Sequence, residues 1–212
     1  MRNSSTGRFK IKVVARTVDP ERHRRRREAV TSAAAALFAE RGFARTTTAE
    51  IARAAGISTG NLFYYFPDKP AIFRAIFEQD IPTSRALFEA HADTVEPLTS
   101  ILDVVSALAA PAREEIAPGL MVELLRQAGE DPQLLEVVAA NEEIVQNGLA
   151  DLIRHAADAE LVDGELDEQE AATWIRTIVD AVYLNAGHVP GTDPLPMLRL
   201  VVARFLGARW GE

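Results

Sequence analysis

Three Asp-Pro pairs set the frame of this chain: Asp19-Pro20, Asp131-Pro132 and Asp193-Pro194. An Asp carboxylate accepts from the free N–H groups of a helix's first turn, and Pro, with its φ fixed and its N–H missing, suits the first helical position. Each pair therefore predicts a helix start. After the first, Val30, Ala33, Ala34, Leu37 and Phe38 recur at three- and four-residue steps, which gives one apolar helix face ending at Gly42. Short helices are predicted over Thr47 to Ala55 and Ser58 to Tyr65, separated by Gly56. Asp68 caps a longer one, roughly Lys69 to Ala92, which Pro82 should kink or break. Further helices are expected over Pro97 to Ala110, Gly119 to Ala128 and Asp131 to about Ala159. Asp167 with Glu170 reads as a capping box for one reaching about Asn185, and a last one runs from Asp193 to about Leu206. Strand signals are scarce, and there is no internal repeat or low-complexity linker. The expected fold is all-α.

Charge then divides the chain. The net charge is -8, yet residues 1–76 hold 15 Lys and Arg against 6 Asp and Glu, whereas residues 77–212 hold 8 against 25. A basic N-terminal third joined to an acidic body points to nucleic acid in a way that the overall acidity does not. With no Cys, disulfides, thiolate metal sites and thiol catalysis are excluded. The start of the chain lacks the apolar stretch of a secretory signal. The uncharged run Ala181 to Thr192 is too short for a membrane span and contains a Pro and two Gly. A cytoplasmic protein with no membrane partner is the expectation.

Residues 43–66 carry the most specific signal. Thr46-Thr47-Thr48 supplies an N-cap, and Ile51, Ala52 and Ala55 make a short apolar face. Gly56-Ile57-Ser58 then gives a turn, an apolar anchor and a new N-cap. Two short helices joined by such a turn form a helix-turn-helix, whose second helix enters the major groove with its first turn against base edges. Ser58, Thr59, Gly60 and Asn61 place small polar groups on that turn: hydroxyls, a glycine allowing close approach, and an amide able to pair with adenine. Leu62 and Phe66, four residues apart, would anchor the helix. Tyr64 and Tyr65 cannot both point inward, so at least one hydroxyl is available to a phosphate.

In order and without gaps, Gly42-Phe43, Thr46-Thr47, Ile51-Ala52, Ala55-Gly56-Ile57-Ser58, Gly60 to Phe66 and Asp68-Lys69 resemble the DNA-binding signature of the TetR/AcrR family of transcriptional regulators. The resemblance is close over residues 22–76; beyond them it extends only to length and helical character. Residues 1–18 lack periodicity and read as a mobile basic tail, and the resemblance implies a helix-turn-helix domain at 19–76 and an effector-binding and dimerisation domain at 77–212. It further implies phosphate contacts from Thr47 and Lys69, base reading by Thr59, Gly60 and Asn61, and backbone grip by Tyr64 and Tyr65. Two positions depart from the family pattern. Phe63 stands where a Tyr is usual, and Pro70 where an acidic residue usually follows the Lys.

The family's way of working implies a homodimer on a palindromic double-stranded operator, because one short recognition helix reads few bases. Ala171, Ile175, Ile178, Val179 and Val182 on one helix, and Leu198, Val201, Val202, Phe205 and Leu206 on another, are the candidate four-helix-bundle interface. A pocket for an unidentified small-molecule effector is expected among the middle helices, with Met121, Leu124, Asn141, Val145, Trp174 and Tyr183 as candidate lining residues. Effector binding would shift the helix beginning at Lys69 and release the operator, which makes repression the default.

The run Arg24 to Arg27 does not serve helix stability, since cations near a helix N-terminus oppose the macrodipole; contact with phosphate is the reading that accounts for it. The four His are scattered, and no HExxH, phosphate loop or nucleophile motif is present. Asp151 and His155, on one helix face, read as a solvated pair. No catalysis, metal or cofactor is expected. A sequence-neutral architectural DNA binder is the remaining rival.

Overall fold

The computed structural model describes residues 19–186 and 192–208. The basic tail at 1–18 and His188 lie outside these. The described residues form ten α-helices and no strand, so the fold is all-α, with a helix-turn-helix at the N-terminal end. The helices are α1 (Pro20–Arg41), α2 (Thr48–Ala54), α3 (Thr59–Tyr65), α4 (Lys69–Glu78), α5 (Asp80–His91), α6 (Pro97–Ala109), α7 (Ala117–Ala128), α8 (Pro132–Asp158), α9 (Glu168–Asn185) and α10 (Leu195–Phe205). A short 3-10 turn, Ala110–Arg113, follows α6.

The Asp-Pro reading holds for α1 and α8: Asp19 and Asp131 each accept from two backbone N–H groups at the helix start. At the third pair the helix begins one residue later, Asp193 accepting from Leu195 N. Asp167 accepts from Glu170 N, but Glu170 does not reciprocate, so that expected capping box is half formed. The helix expected over Lys69 to Ala92 is two, parted at Gln79. Pro82, third residue of α5, has no N–H for the ladder, and its ring crowds the carbonyl four residues back, at Glu78, so the chain loosens ahead of it. Pro70 is harmless as second residue of α4, because Asp68 caps Ala71 N at 2.7 Å and a second-position N–H needs no intrahelical partner.

Two apolar cores result. The larger joins α6, the C-terminal half of α8, α9 and α10 around Ile101, Leu149, Ile175 and Leu206. The smaller joins α1 to α4 around Phe38, Ile51, Leu62 and Phe73, and is completed by Leu134 from α8. The helix-turn-helix unit is thus sealed by a residue of the C-terminal body, and α4 belongs to both: Ile72 and Phe73 lie in the small core, while Ile76 and Phe77 face the body's cavity.

One expectation is corrected here. Ala171, Ile175, Val179, Leu198, Val202 and Leu206, expected between subunits, are buried in the chain's own large core; Ile178, Val182 and Phe205 pack against it, half-buried. Of that set only Val201 is exposed. Apolar periodicity marks the faces that pack without saying against what, and here α6 and α8 take them. The exposed apolar residues of these two helices are instead Trp174, Leu184, Met197, Leu200 and Val201.

Candidate functional site

The turn between α2 and α3 is fixed by its own hydrogen bonds. Thr47 and Glu50 form a reciprocal capping box at the start of α2: Thr47 Oγ1 accepts from Glu50 N (3.2 Å) and Glu50 Oε2 accepts from Thr47 N (2.9 Å). At the other end Ile57 N donates to Ala52 O and Gly56 N to Arg53 O, closing α2 with Gly56 at φ 66. That is the Schellman pattern, with glycine in the left-handed position. Ser58 Oγ then accepts from Asn61 N (3.2 Å) and starts α3.

Leu62 and Phe66 hold α3 down, both fully buried. What they leave outward is the rest of the helix. Ser58, Gly60 and Asn61 are exposed, Thr59 and Tyr65 half-buried, Phe63 is 49% exposed and Tyr64 61%. No protein atom lies within 4 Å of where a Gly60 side chain would begin. A seven-residue helix that turns a Phe and a Tyr to water presents an interface rather than a packed face.

Two cations expected at phosphate are used inside the unit. Lys69 Nζ donates to the carbonyls of Phe43 (2.7 Å) and Thr46 (2.9 Å) and lies 4.3 Å from the centre of the Phe43 ring, binding the α1–α2 loop to the start of α4. Burial pulls its ammonium below the usual lysine range. Arg27 donates to Tyr65 O (2.8 Å) and stacks 4.2 Å above Phe66, closing the C-terminal end of α3. Arg24 pairs with Glu21 and Glu28, which leaves Arg25 and Arg26 as the two of the Arg run with no ion pair or side-chain hydrogen bond among the described residues. His23 packs against both tyrosines, 6.1 Å from Tyr64 and 5.0 Å from Tyr65 between ring centres. Nothing in the local spacing signals that contact, because α1 and α3 meet only in the fold.

Residues 30–76, from within α1 to within α4, match the family model described as bacterial regulatory proteins, tetR family. The helix-turn-helix unit is thus similar to that of the tetR family of bacterial regulatory proteins. Over 80 residues it is 35% identical to the HTH-type transcriptional regulator RutR of Escherichia coli K12, a stretch covering 38% of each chain. A longer match, 26% identical over 175 residues, spans 78% of this chain and 80% of the nucleoid occlusion factor SlmA of Mannheimia succiniciproducens. Among solved structures, the transcriptional regulator FadR of Bacillus subtilis in complex with stearoyl-CoA shares the fold, with a TM-score of 0.72 at 19% identity, over 86% of this chain and 99% of that one.

The body holds a cavity of about 340 Å³ between α4 and α9. Met121, Leu124, Asn141, Val145 and Tyr183 line it. Trp174 does not. It lies on α9 away from the cavity, 54% exposed, because the residues of that helix turned inward are Arg176, Val179, Asp180 and Tyr183. The charged lining was not foreseen. Arg176 donates to Glu142 and Asp180, Tyr183 donates to Leu108 O (2.7 Å), and Asp80 opens α5 beside them. Asn141 Oδ1 is buried without a partner. The spacing of Arg176 and Asp180 (i, i+4) was visible in the sequence as a helix pair, but not which way it faced.

Glu123, near the expected pocket in sequence, faces the opposite way. Only 5% exposed, it accepts from Phe43 N (2.9 Å) through Oε2 and from Arg126 (2.7 Å) through Oε1. It ties α7 to the same loop that Lys69 holds from the other side.

Proposed function

We propose that the chain is a sequence-specific DNA-binding transcriptional regulator, a repressor that leaves a palindromic operator when a small molecule enters the cavity. The observation that carries this is the state of α3, which is anchored by two buried side chains while its first turn and Tyr64 stay free of the globule. Thr59, Gly60 and Asn61 read base edges; Thr47, Ser58, Tyr64 and Tyr65 contact the DNA backbone. Arg25 and Arg26 add phosphate contacts. Lys69 acts chiefly through the loop it holds, with one ammonium proton left for phosphate.

Two copies are needed, and the exposed stripes of α9 and α10, with Trp174, Leu184, Met197, Leu200 and Val201, support a two-fold four-helix interface. Release follows from shared elements: the last turn of α4 and one face of α7 line the cavity, while α4 lies in the helix-turn-helix core and α7 grips its loop. A ligand that prefers the released arrangement shifts the pair of α3 helices off register.

Selection of binding sites from random duplexes tests the reading. The expected product is one palindrome with half-sites about 34–36 Å apart, one helical turn. Asn61→Ala should change base preference within each half-site and cost about 1–3 kcal/mol on the parent palindrome. Equal affinity for palindrome and random duplex would instead favour an architectural binder.

A further inference from the structure

The cavity's polar lining is lopsided. Asp80, Glu114, Glu142 and Asp180 bring four carboxyl groups to it, against Arg176 as its only basic residue. Arg176 is already engaged by Glu142 and Asp180, so it has little left to offer an anion. Tyr183 and Thr83 give their protons to the protein's own carbonyls, Leu108 O and Gln79 O. Two acceptors stand unpaired. The Asp80 carboxylate has no ion pair or side-chain hydrogen bond among the described residues, and Asn141 Oδ1 is a buried acceptor with no donor. An unmade hydrogen bond at a buried acceptor costs about 1–3 kcal/mol, which an incoming donor recovers. The other walls, among them Phe77, Leu87, Leu120 and Leu124, are apolar.

We propose that the cavity takes an amphiphilic cation, its apolar body along Phe77, Leu120 and Leu124 and its protonated amine toward Asp80 and Asn141. This rests on the reading of the cavity as a small-molecule site and adds the ligand's charge. An ammonium supplies both missing partners, N–H donors for Asn141 Oδ1 and positive charge for Asp80, and it eases the surplus of carboxylates around Arg176. A carboxylate or phosphate head meets that surplus with no uncommitted cation to answer it.

Calorimetric titration of the purified full-length chain with octylamine, octanol and octanoate isolates the head group, since the tail is the same in all three. Octylamine should bind about tenfold more tightly than octanoate, with octanol between them. Asp80→Asn and Asn141→Leu should each cut octylamine's affinity several-fold more than octanol's, and continued octanol binding shows that the cavity still forms. Octanoate binding as well as octylamine, octylamine indifferent to both substitutions, or no binding by any of the three overturns the proposal. No DNA is present in the titration. A selective amine site in a chain that selects no operator would therefore leave this inference standing and remove the regulator reading instead.

Discussion

Lys69 shows how one side chain serves a contact chiefly by holding the loop beside it. Its ammonium donates to two loop carbonyls: Phe43 O, which Thr46 N also reaches at 3.3 Å, and Thr46 O, which has no other donor among the described residues. Lys69→Met keeps the length of the chain and removes only the donors. It should lower stability by about 1–3 kcal/mol, the cost of leaving a buried acceptor unmet, read as a fall in melting temperature with DNA absent. A residue acting only on phosphate would leave the melting temperature alone and reduce the salt dependence of DNA binding instead. Asp80 allows a sharper test, because burial, opposed by Arg176, pushes its carboxyl from 3.8 up to about 6. The folded chain thus holds that proton more firmly than the unfolded chain does. The resulting penalty on folding is absent below about 3.8, grows as the pH rises, and is complete above about 6. Asp80→Asn removes it. The variant should melt about 2–4 °C above the parent near neutral pH, the shift that one kcal/mol makes in a chain of this length, and the gap should close on acidification. Glu114, Glu142, Asp180, Arg176 and Tyr183 line the same cavity in both proteins, so the difference between the two curves isolates Asp80. A gap that stays constant with pH would show that the carboxyl is not held in its neutral form by the fold.

Among the elements, α7 both lines the cavity and grips the α1–α2 loop, and its closeness to α1 is set by Gly119. A Cβ there would meet Ala39 O at 2.4 Å, and backbone cannot yield as a flexible side-chain tip would. Gly119→Ala should therefore force α1 and α7 apart, stretch the Glu123–Phe43 contact and weaken operator binding with Asn61 and its neighbours untouched. Amide hydrogen exchange at Phe43 reads this directly, and unchanged protection there would show that α7 does not hold the loop. Gly119 also shows where sequence reasoning stops. Caps and stops made nearly every helix legible, because an N-cap or a left-handed glycine acts within a few residues. The recognition turn was legible for the same reason, down to the Leu62 and Phe66 anchors. The cavity's carboxylates were not, since Asp80 and Glu142 come from α5 and α8 and become neighbours of Arg176 only through tertiary packing, which also decides that the Arg176–Asp180 pair of α9 faces the cavity. Trp174 failed in the opposite sense. A large aromatic on an amphipathic helix suits a pocket or an interface equally well, and the rotation of α9 decides between them.

At the scale of the whole molecule, charge is segregated along the chain. The cations cluster in residues 1–76 and the surplus of carboxylates in the rest, a distribution that suits the proposed complex, in which the basic unit meets phosphate and the acidic body is repelled by it. One α3 offers too few reading groups to pick out a site among many, whereas two copies fixed about one helical turn apart multiply their discrimination. Something must fix that spacing. On α9 Trp174 and Leu184, and on α10 Met197, Leu200 and Val201, lie outward along one stripe of each helix, where large apolar side chains have no reason to face water in a lone subunit. Trp174→Glu combined with Leu200→Glu places like charges across a two-fold contact and should yield a monomer in analytical ultracentrifugation. Neither side chain belongs to the chain's own core, so the monomer should keep its helical circular dichroism and a cooperative melt. Affinity for the selected palindrome should fall about a thousandfold, toward the level of random duplex, because each half-site is then bound alone. A double variant that remains dimeric would place the interface elsewhere. One that becomes monomeric yet binds the palindrome at full strength would mean that the spacing of the two recognition helices is set by the DNA and not by the protein.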